Sequence, residues 1–173
     1  MIRRLQATVI GDGDATPAAA ALADAVGALL ARLGVTVVTG GRSGVMEAAC
    51  RGAAGAGGTT VGIVPSDQLD DANPWCSVVI PTGLGHARNA ITALAGDLVI
   101  VIGGGAGTLS EIAFAWMHGR PILALAGTGG WADAVQQHPP DSRRTSTITR
   151  CEDLAALEAA IRAVCAERGL ATS

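Results

Sequence analysis

Short runs of consecutive apolar residues alternate along the chain with longer segments that carry helix start and stop residues. Apolar runs of this length are typical of buried strands, whereas Thr16-Pro17 before one long segment and Gly34 after it are typical of helix ends. The pattern predicts strands at residues 7–10, 35–39, 60–64, 77–80, 98–102, 121–126 and around 145–149. It predicts helices at residues 17–33, 43–54 and 153–167, and two more that end near residues 95 and 118.

The alternation of strands and helices indicates an α/β fold. Because the connections are short, we expect a doubly wound, mainly parallel Rossmann-like sheet with helices on both faces. Residues 1–173 are expected to form one nucleotide-binding domain, since this length suits a single core. Glycines and Pro139-Pro140 predict a looser region between residues 127 and 144. Ligands of such sheets bind beyond the carboxyl ends of the strands, where the strand order reverses.

Four of the predicted strands end in glycine-rich loops, at residues 11–13, 40–44, 83–85 and 103–107. In a parallel sheet these loops lie on one edge, where backbone without a Cβ can approach a ligand closely. The loop at 103–107 also opens a helix, whose free N–H groups favour an anion such as phosphate. The first loop does not complete G-x-G-x-x-G, so an ordinary dinucleotide site is not indicated. The candidate phosphate-binding residues are Gly11, Gly13, Gly40, Gly41, Arg42, Gly44, Gly83, Gly85, Gly103, Gly104, Gly105, Gly107 and Thr108.

Two charged residues near these loops, Glu111 and Arg88, are the candidates for catalytic chemistry. A carboxylate at Glu111 would repel phosphate unless the two groups address different parts of one ligand. The run Thr108-Leu109-Ser110-Glu111 also fits a capping box, and the sequence leaves both roles open. Arg88 is placed in the first turn of a helix, where the dipole disfavours a cation, so an anionic ligand or a pair with Glu111 explains it better. Arg42 is either a similar ligand contact or a solvated loop charge.

Composition excludes several classes of function. All 12 basic residues are arginines, which excludes a lysine Schiff base, pyridoxal-phosphate chemistry and a Walker-A loop. The net charge of −3 indicates neither a nucleic-acid partner nor a membrane surface. Four cysteines without C-x-x-C spacing and three scattered histidines predict no metal site and reduced thiols in the cytoplasm. No segment reaches the roughly 20 apolar residues that a membrane span needs.

Alanine-rich segments at residues 18–25 and 155–160 predict small apolar helix faces. Such faces pack closely on the sheet or on a neighbouring subunit, and we expect a homo-oligomer, either a dimer or a tetramer. No motif of the chain requires a resident cofactor.

Three motifs in register resemble one superfamily. Residues 40–47, 85–89 and 103–111 are similar to loops of the "lonely guy" cytokinin-activating phosphoribohydrolases, long mislabelled lysine decarboxylases, and of the molybdenum-cofactor carrier proteins, a SLOG-type Rossmann group. The phosphoribohydrolases carry P-G-G-x-G-T-x-x-E and an upstream Arg-Lys pair, and their essential glutamate and arginine correspond to Glu111 and Arg88. Here glycine replaces the proline and asparagine replaces the lysine. The resulting G-x-G-x-A-R-N form is more similar to the carrier branch.

The resemblance implies a phosphorylated ligand and two alternative functions. As a carrier, the chain would hold a nucleotide or a phosphorylated pterin, with the molybdenum cofactor as cargo, and Glu111 would be a cap and hydroxyl acceptor. As an enzyme, it would hydrolyse a nucleoside 5′-monophosphate to free base and ribose 5-phosphate. Glu111 would then stabilise positive charge on the ribose while Arg88 positions the ligand. Asn89 and Gly103, the two departures from the phosphoribohydrolase pattern, favour carrier-like binding.

Overall fold

The computed structural model describes residues 3–142 and 148–169, and within them six helices flank one sheet of seven strands. The strands are β1 (Gln6–Gly11), β2 (Thr36–Thr39), β3 (Thr60–Val64), β4 (Val78–Pro81), β5 (Leu98–Ile102), β6 (Ile122–Leu125) and β7 (Ile148–Cys151). The helices are α1 (Pro17–Arg32), α2 (Val45–Gly55), α3 (Asn89–Ala95), α4 (Ala106–Met117), α5 (Gly130–Gln137) and α6 (Leu154–Glu167). Short 3₁₀ turns, Leu69–Asp71 and Gly85–Arg88, precede β4 and α3.

Neighbouring strands of the sheet are parallel, in the order β4-β3-β2-β1-β5-β6-β7. This topology confirms the predicted doubly wound α/β fold. The chain builds the sheet outward from β1 to β4 and then returns to place β5 beside β1, with Ala7 opposite Leu98 and Gly11 opposite Ile102. The strand order therefore reverses between β1 and β5. The crevice beyond the carboxyl ends of these two strands is the expected position of a ligand.

The central strand β5 separates two hydrophobic cores. Leu98, Ile100 and Ile102 pack into the core that holds α1, α2 and α6. Val99 and Val101 pack into a second core, which holds α4 and α5. All five side chains are fully buried, as expected for a parallel strand with helices on both faces. The two cores thereby hold in place the strand end from which the glycine loop at 103–107 continues.

Small residues allow α1 and α2 to pack against each other at close range. A Cβ at Gly27 would collide with the carbonyl oxygen of Ala49, and a Cβ at Gly52 would collide with that of Asp24. Ala23, on the alanine-rich face of α1, is buried in the same core. Part of that face is therefore buried within the chain itself.

The region predicted as loose, residues 127–144, contains the helix α5. Its start follows two glycines with positive φ, Gly127 and Gly129, at +72° and +78°. The carboxylate of Asp133 accepts hydrogen bonds from both of their N–H groups, at 2.8 Å each. One acidic side chain thus closes the turn and satisfies backbone donors at the helix start, so a helix forms despite the glycines.

The described part of the last strand, which the sequence predicts around residues 145–149, covers Ile148–Cys151. Residues 143–147, which hold the first part of the predicted strand at 145–149, lie outside the described residues. Within the ranges 3–142 and 148–169, no helix is long and apolar enough to cross a membrane.

Candidate functional site

A cavity of about 310 Å³ opens at the sheet edge where the strand order reverses. The loop after β1, the start of α4 and the turn that precedes α3 surround it. Pockets of this volume accommodate small molecules. Glycines from two of the four predicted loops meet Arg88 and Glu111 here. The lining residues are Gly11, Asp12, Gly13, Met46, His86, Arg88, Asn89, Gly105, Gly107, Thr108 and Glu111.

The start of α4 borders the cavity with an open turn of backbone. The helix begins at Ala106 after Gly105, and no side chain of the described residues caps it. The N–H groups of a first helical turn have no acceptor within the helix, and they carry the positive end of its dipole. A Cβ at Gly105 or Gly107 would meet no atom within 4 Å, so an anion can approach these N–H groups directly. This arrangement suits the phosphate of a ligand.

Of the two roles that the sequence leaves open for Thr108 and Glu111, the structure excludes the capping box. Because the helix starts at Ala106, Thr108 is its third residue rather than the residue before it. The Thr108 side chain is 3% exposed and lies against Gly104, where a Cβ would come within 2.6 Å of the Cβ of Thr108. Glu111 lies in the second turn of α4, where it lines the cavity instead of capping the helix.

The two glycines that directly follow β5 are held by neighbouring loops. The N–H of Gly103 donates to Thr128 Oγ1 at 2.9 Å, and the N–H of Gly104 donates to Asp12 Oδ2 at 2.8 Å. Their carbonyl oxygens accept hydrogen bonds from N–H groups at the start of α5. These two N–H groups are therefore already satisfied. The donors that remain for a phosphate lie further along, at the start of α4.

Arg88 and Glu111 form a buried pair in the wall of the cavity. Arg88 Nη1 donates to Glu111 Oε1 at 3.4 Å, and the two residues are only 8% and 7% exposed. Burial raises the pKa of Glu111 to about 7, against the opposing effect of the Arg88 charge. Burial also lowers the pKa of Arg88, although a guanidinium stays charged in proteins. Both the protonated and the ionised form of Glu111 are therefore accessible near neutral pH.

Further contacts fix the Arg88 guanidinium. Its Nη1 also donates to Thr92 Oγ1 at 3.1 Å, one turn along α3. Gly40 lies directly against it, since a Cβ at Gly40 would come within 2.5 Å of Nη2. The Nε atom is buried without a hydrogen-bond partner among the described residues, and leaving a buried donor unsatisfied is costly. Arg88 Nε is thus a donor that the described part of the protein leaves unused.

Asn89, the residue after Arg88, connects α3 to α4. Its Nδ2 donates to Ser110 Oγ at 2.8 Å and to the carbonyl oxygen of Gly107 at 3.4 Å. Ser110 Oγ donates to the same carbonyl oxygen at 2.7 Å. A neutral amide therefore braces the first turn of α4 at the position where the phosphoribohydrolase pattern has a lysine.

The loop at residues 40–44 supports the cavity from behind and contributes no lining residue. Gly41 has a φ of +71° and packs against Val64 on β3, while Gly44 has a φ of +69° and packs on the backbone of the loop at 11–13. Arg42 is exposed, and its charge contributes to the lowered pKa of Arg88. Arg42 therefore lies close enough to influence the site without bordering the cavity.

The glycines of the loop at 83–85 are occupied by a neighbouring loop. Their N–H groups donate to the carbonyl oxygens of Ser66 and Pro65, at 2.9 Å each. Gly83 and Gly85 shape the turn that leads to Arg88, with φ values of +65° and +55°. The structure thus gives them a supporting position rather than a place in the cavity lining.

Asp12 and Met46 line the cavity and Thr128 holds the loop after β5, and none of the three is among the candidate site residues of the sequence. The position of Asp12 between two glycines at a strand end was the available signal for its contact with the loop after β5. The sequence signal for Met46 is weaker and consists only of its position within the motif at 40–47. The structure shows no group of three or more His, Cys, Asp or Glu able to hold a metal among its described residues.

Solved structures resemble nearly the whole chain. The molybdenum cofactor binding protein from the phototrophic bacterium Rippkaea orientalis matches with a TM-score of 0.85 and 34% identity, over 95% of this chain and 99% of that chain. The molybdenum cofactor carrier protein from Chlamydomonas reinhardtii matches with a TM-score of 0.81 and 31% identity, over the same shares. The fold of this chain is therefore shared with proteins of this kind.

Sequence comparisons extend the likeness to an enzyme. The cytokinin riboside 5′-monophosphate phosphoribohydrolase of Mycobacterium tuberculosis is 37% identical over 113 residues, which are 60% of this chain and 60% of that protein. The model of the SLOG cluster4 family matches residues 4–157. Because that match covers most of the sequence, and because the resemblance of the three loop motifs agrees with it, the chain belongs to the SLOG cluster4 family.

Proposed function

We propose that the chain binds a phosphorylated small molecule in this cavity and holds it without turnover, as a carrier. The observation that carries the proposal is the uncapped start of α4 beside the buried pair of Arg88 and Glu111. The helix start supplies N–H donors for phosphate, and Gly105 and Gly107 leave room for it. The similarity to a molybdenum cofactor binding protein and a molybdenum cofactor carrier supports the carrier role.

The proposed ligand is a nucleoside monophosphate or a phosphorylated pterin such as the molybdenum cofactor, as cargo. With the phosphate at the start of α4, the rest of the ligand extends along the lining toward Arg88, Asn89 and Met46. Arg88 lines the cavity, and its guanidinium supplies N–H donors for this part of the ligand. Glu111 accepts a hydrogen bond from a ligand hydroxyl when ionised and donates one when protonated.

Thermal stabilisation by a ligand panel tests the carrier proposal. The panel contains nucleoside monophosphates and a phosphorylated pterin, each beside its dephosphorylated counterpart. A ligand at a hundred times its Kd adds about 2.7 kcal/mol to the free energy of unfolding, so we expect a higher Tm with phosphorylated members only. Arg88→Met should lose the effect and Arg51→Met, which removes a surface ion pair with Asp24, should keep it. Equal stabilisation by the dephosphorylated compounds would contradict the proposal.

The second candidate function is hydrolysis of a nucleoside 5′-monophosphate to free base and ribose 5-phosphate. The observation that favours it is Glu111, a buried carboxyl group whose pKa burial raises to about 7. A group with this pKa exchanges protons near neutral pH, and its ionised form stabilises the positive charge that builds on the ribose as the bond to the base breaks. The similarity to the phosphoribohydrolase of Mycobacterium tuberculosis supports this alternative.

Release of free base separates the two functions. The protein is incubated with each nucleoside monophosphate, and the products are resolved by chromatography, with Glu111→Gln as the control variant. Base release that disappears in Glu111→Gln would overturn the carrier proposal. A ligand that stabilises both proteins and is recovered intact would overturn the hydrolase alternative. Release that survives in Glu111→Gln would contradict the role given to Glu111 in the hydrolysis.

We also propose that the chain forms a homo-oligomer, a dimer or a tetramer, in the cytoplasm. The edge strand β4 exposes Val78 and Ile80, at 47% and 43%, and Leu84 just after it is 52% exposed. Apolar side chains grouped on a surface mark contacts between proteins. The free cysteines of the chain suit a reducing compartment, and nucleic acid is not among the proposed partners. Light scattering tests the oligomer, and a monomer mass at micromolar concentration would contradict it.

A further inference from the structure

Two of the four cysteines lie side by side behind the loop at residues 40–44. Cys50 Sγ on α2 and Cys76 Sγ, in the turn before β4, are 3.9 Å apart, although 26 positions separate the residues in sequence. Cys50 is fully buried and Cys76 is half-buried. Formation of a disulfide brings two sulfurs to about 2.05 Å, so a shift of roughly 2 Å at the sulfur atoms would join these two.

The surroundings make room for the pair. Gly62 on β3 lies directly beneath Cys76, since a Cβ at Gly62 would come within 2.6 Å of Cys76 Sγ. On the other side, Thr39 Oγ1 lies 3.4 Å from Cys50 Sγ. The hydrogen bond between the two sulfurs lowers the pKa of Cys50 and raises that of Cys76. Cys50 is therefore the more acidic of the two thiols.

The turn that carries Cys76 also holds the loop behind Arg88. Asn73, three residues earlier, donates from its backbone N–H to the Gly41 carbonyl oxygen at 2.8 Å and from Nδ2 to the Arg42 carbonyl oxygen at 3.2 Å. The Cys76 N–H donates to the Asn73 carbonyl oxygen at 3.3 Å. A bond between Cys76 and α2 would therefore fasten this turn, and through it the loop at 40–44, to the helix.

We propose that Cys50 and Cys76 are a redox-sensitive dithiol that a peroxide converts to a disulfide. The half-buried Cys76 thiol gives its proton to the adjoining Cys50 thiolate as its sulfur attacks one peroxide oxygen. The O–O bond breaks, the hydroxide that leaves takes this proton and becomes water, and Cys76 becomes a sulfenic acid. The Cys50 thiolate then attacks the Cys76 sulfur, an S–S bond forms, and the S–O bond breaks with loss of a second water. In the balance, two thiols are oxidised and one hydrogen peroxide is reduced to two waters.

Peptide mapping tests the proposal directly, because the chain offers convenient cleavage sites. The reduced protein is treated with one equivalent of hydrogen peroxide, alkylated and digested after arginine. Residues 43–51 and 52–88 form two peptides with one cysteine each, Cys50 and Cys76. We expect a linked pair of these peptides, two hydrogens lighter than their sum, that a reductant separates. Cys151→Ser should keep the link as the matched control, and Cys76→Ser should lose it.

A second measurement does not depend on digestion. Closure of a loop of this length raises the Tm by about 5–10 °C for a chain of this size, so the oxidised wild-type protein should melt higher than the reduced one. Cys76→Ser should show no such difference. Peroxide that drives Cys76 to a sulfinic or sulfonic acid, or that links either cysteine to Cys151 or Cys165, would overturn the proposal.

Discussion

The loops that follow β2 and β5 are both rich in glycine and both lead from a strand into a helix. Their glycines differ in whether they face protein or open space. In the loop at 40–44, a Cβ at Gly41 or Gly44 would meet protein, namely β3 and the backbone of the loop at 11–13. In the loop at 103–107, a Cβ at Gly105 or Gly107 would meet no atom within 4 Å. Gly41 and Gly44 let protein pack on protein, whereas Gly105 and Gly107 leave space beside a helix start.

The difference teaches that glycine content does not by itself identify a phosphate loop. The two loops occupy the same edge of the sheet, and the pattern of apolar strand followed by glycines is common to both. What separates them is where an added Cβ would lie, which depends on neighbouring elements far away in sequence. Substitution of glycine by alanine therefore probes each loop with the same small change.

The largest effect is expected for Gly44→Ala in the supporting loop. Gly44 has a φ of +69°, a conformation that costs other residues about 1–3 kcal/mol. Its Cβ would also come within 2.7 Å of the backbone of Gly13, and such overpacking adds about 1–3 kcal/mol. We expect urea unfolding to show a loss of about 3–5 kcal/mol. Gly13→Ala is the matched control, because a Cβ there meets nothing within 4 Å. An equal loss of stability in both variants would contradict the supporting role given to Gly44.

The next largest effect on stability is expected for Glu111, which both loops influence. The loop after β5 leads into the helix that carries Glu111, and Gly40 of the other loop contacts its partner Arg88. The folded-state pKa of Glu111 is about 7, raised by burial from an ordinary 4.5. Between these values the folded protein binds more protons than the unfolded chain, so the free energy of unfolding falls as the pH rises through this window. The difference of pKa corresponds to roughly 3 kcal/mol, all of it lost above about pH 8.

Urea midpoints near pH 5 and near pH 8 measure this effect, with Glu111→Gln as the reference. The variant keeps the shape of the side chain and removes the titration, so its stability should change less between the two pH values. The lowered pKa of Asp97 acts below this window and does not interfere. A wild-type protein that gains stability relative to Glu111→Gln toward pH 8 would show that Arg88 outweighs burial.

The sequence predicts the sheet well because its signals are local. The strand at 98–102 is found with the predicted bounds, since five apolar residues between a polar residue and glycines fit only a buried strand here. The pair of Arg88 and Glu111 was also predictable, as one of two explanations of Arg88, because a cation in the first turn of a helix conflicts with the helix dipole. The capping box at Thr108 and Glu111, by contrast, is not formed. Its motif is locally satisfactory, and the actual start of α4 depends on contacts that Gly103 and Gly104 make with other loops.

Those contacts can be tested at Thr128, which supports the loop after β5. Its Oγ1 accepts from the Gly103 N–H at 2.9 Å and donates to the Leu125 carbonyl oxygen at 2.8 Å. Thr128→Val keeps the shape and leaves the Gly103 N–H without this acceptor, which should cost about 1–2 kcal/mol in thermal or urea unfolding. Thr128→Ser retains the hydroxyl and should keep most of the stability. If Thr128→Val leaves the free energy of unfolding unchanged, the loop is held by its other contacts.

The smallest change in stability, and the most informative one, is expected for Gly107→Ala at the start of α4. Gly107 is a helical residue with open space around its Cα, and alanine in a helix is more stable than glycine by about 0.5–1 kcal/mol. The same methyl group intrudes on the space where we propose the phosphate, so affinity for adenosine 5′-monophosphate should fall about tenfold, or roughly 1.4 kcal/mol. Affinity for adenosine should change less.

Gly55→Ala is the matched control for this variant. Gly55 ends α2 with equally open surroundings, it lines no part of the cavity, and its replacement should raise stability without changing the affinity. If Gly107→Ala raises stability and weakens the binding of the phosphorylated ligand only, Gly107 is needed for ligand binding and not for folding, in contrast to Gly44. If both variants bind adenosine 5′-monophosphate as the wild-type protein does, the phosphate lies elsewhere, and the contrast between the two loops concerns packing alone.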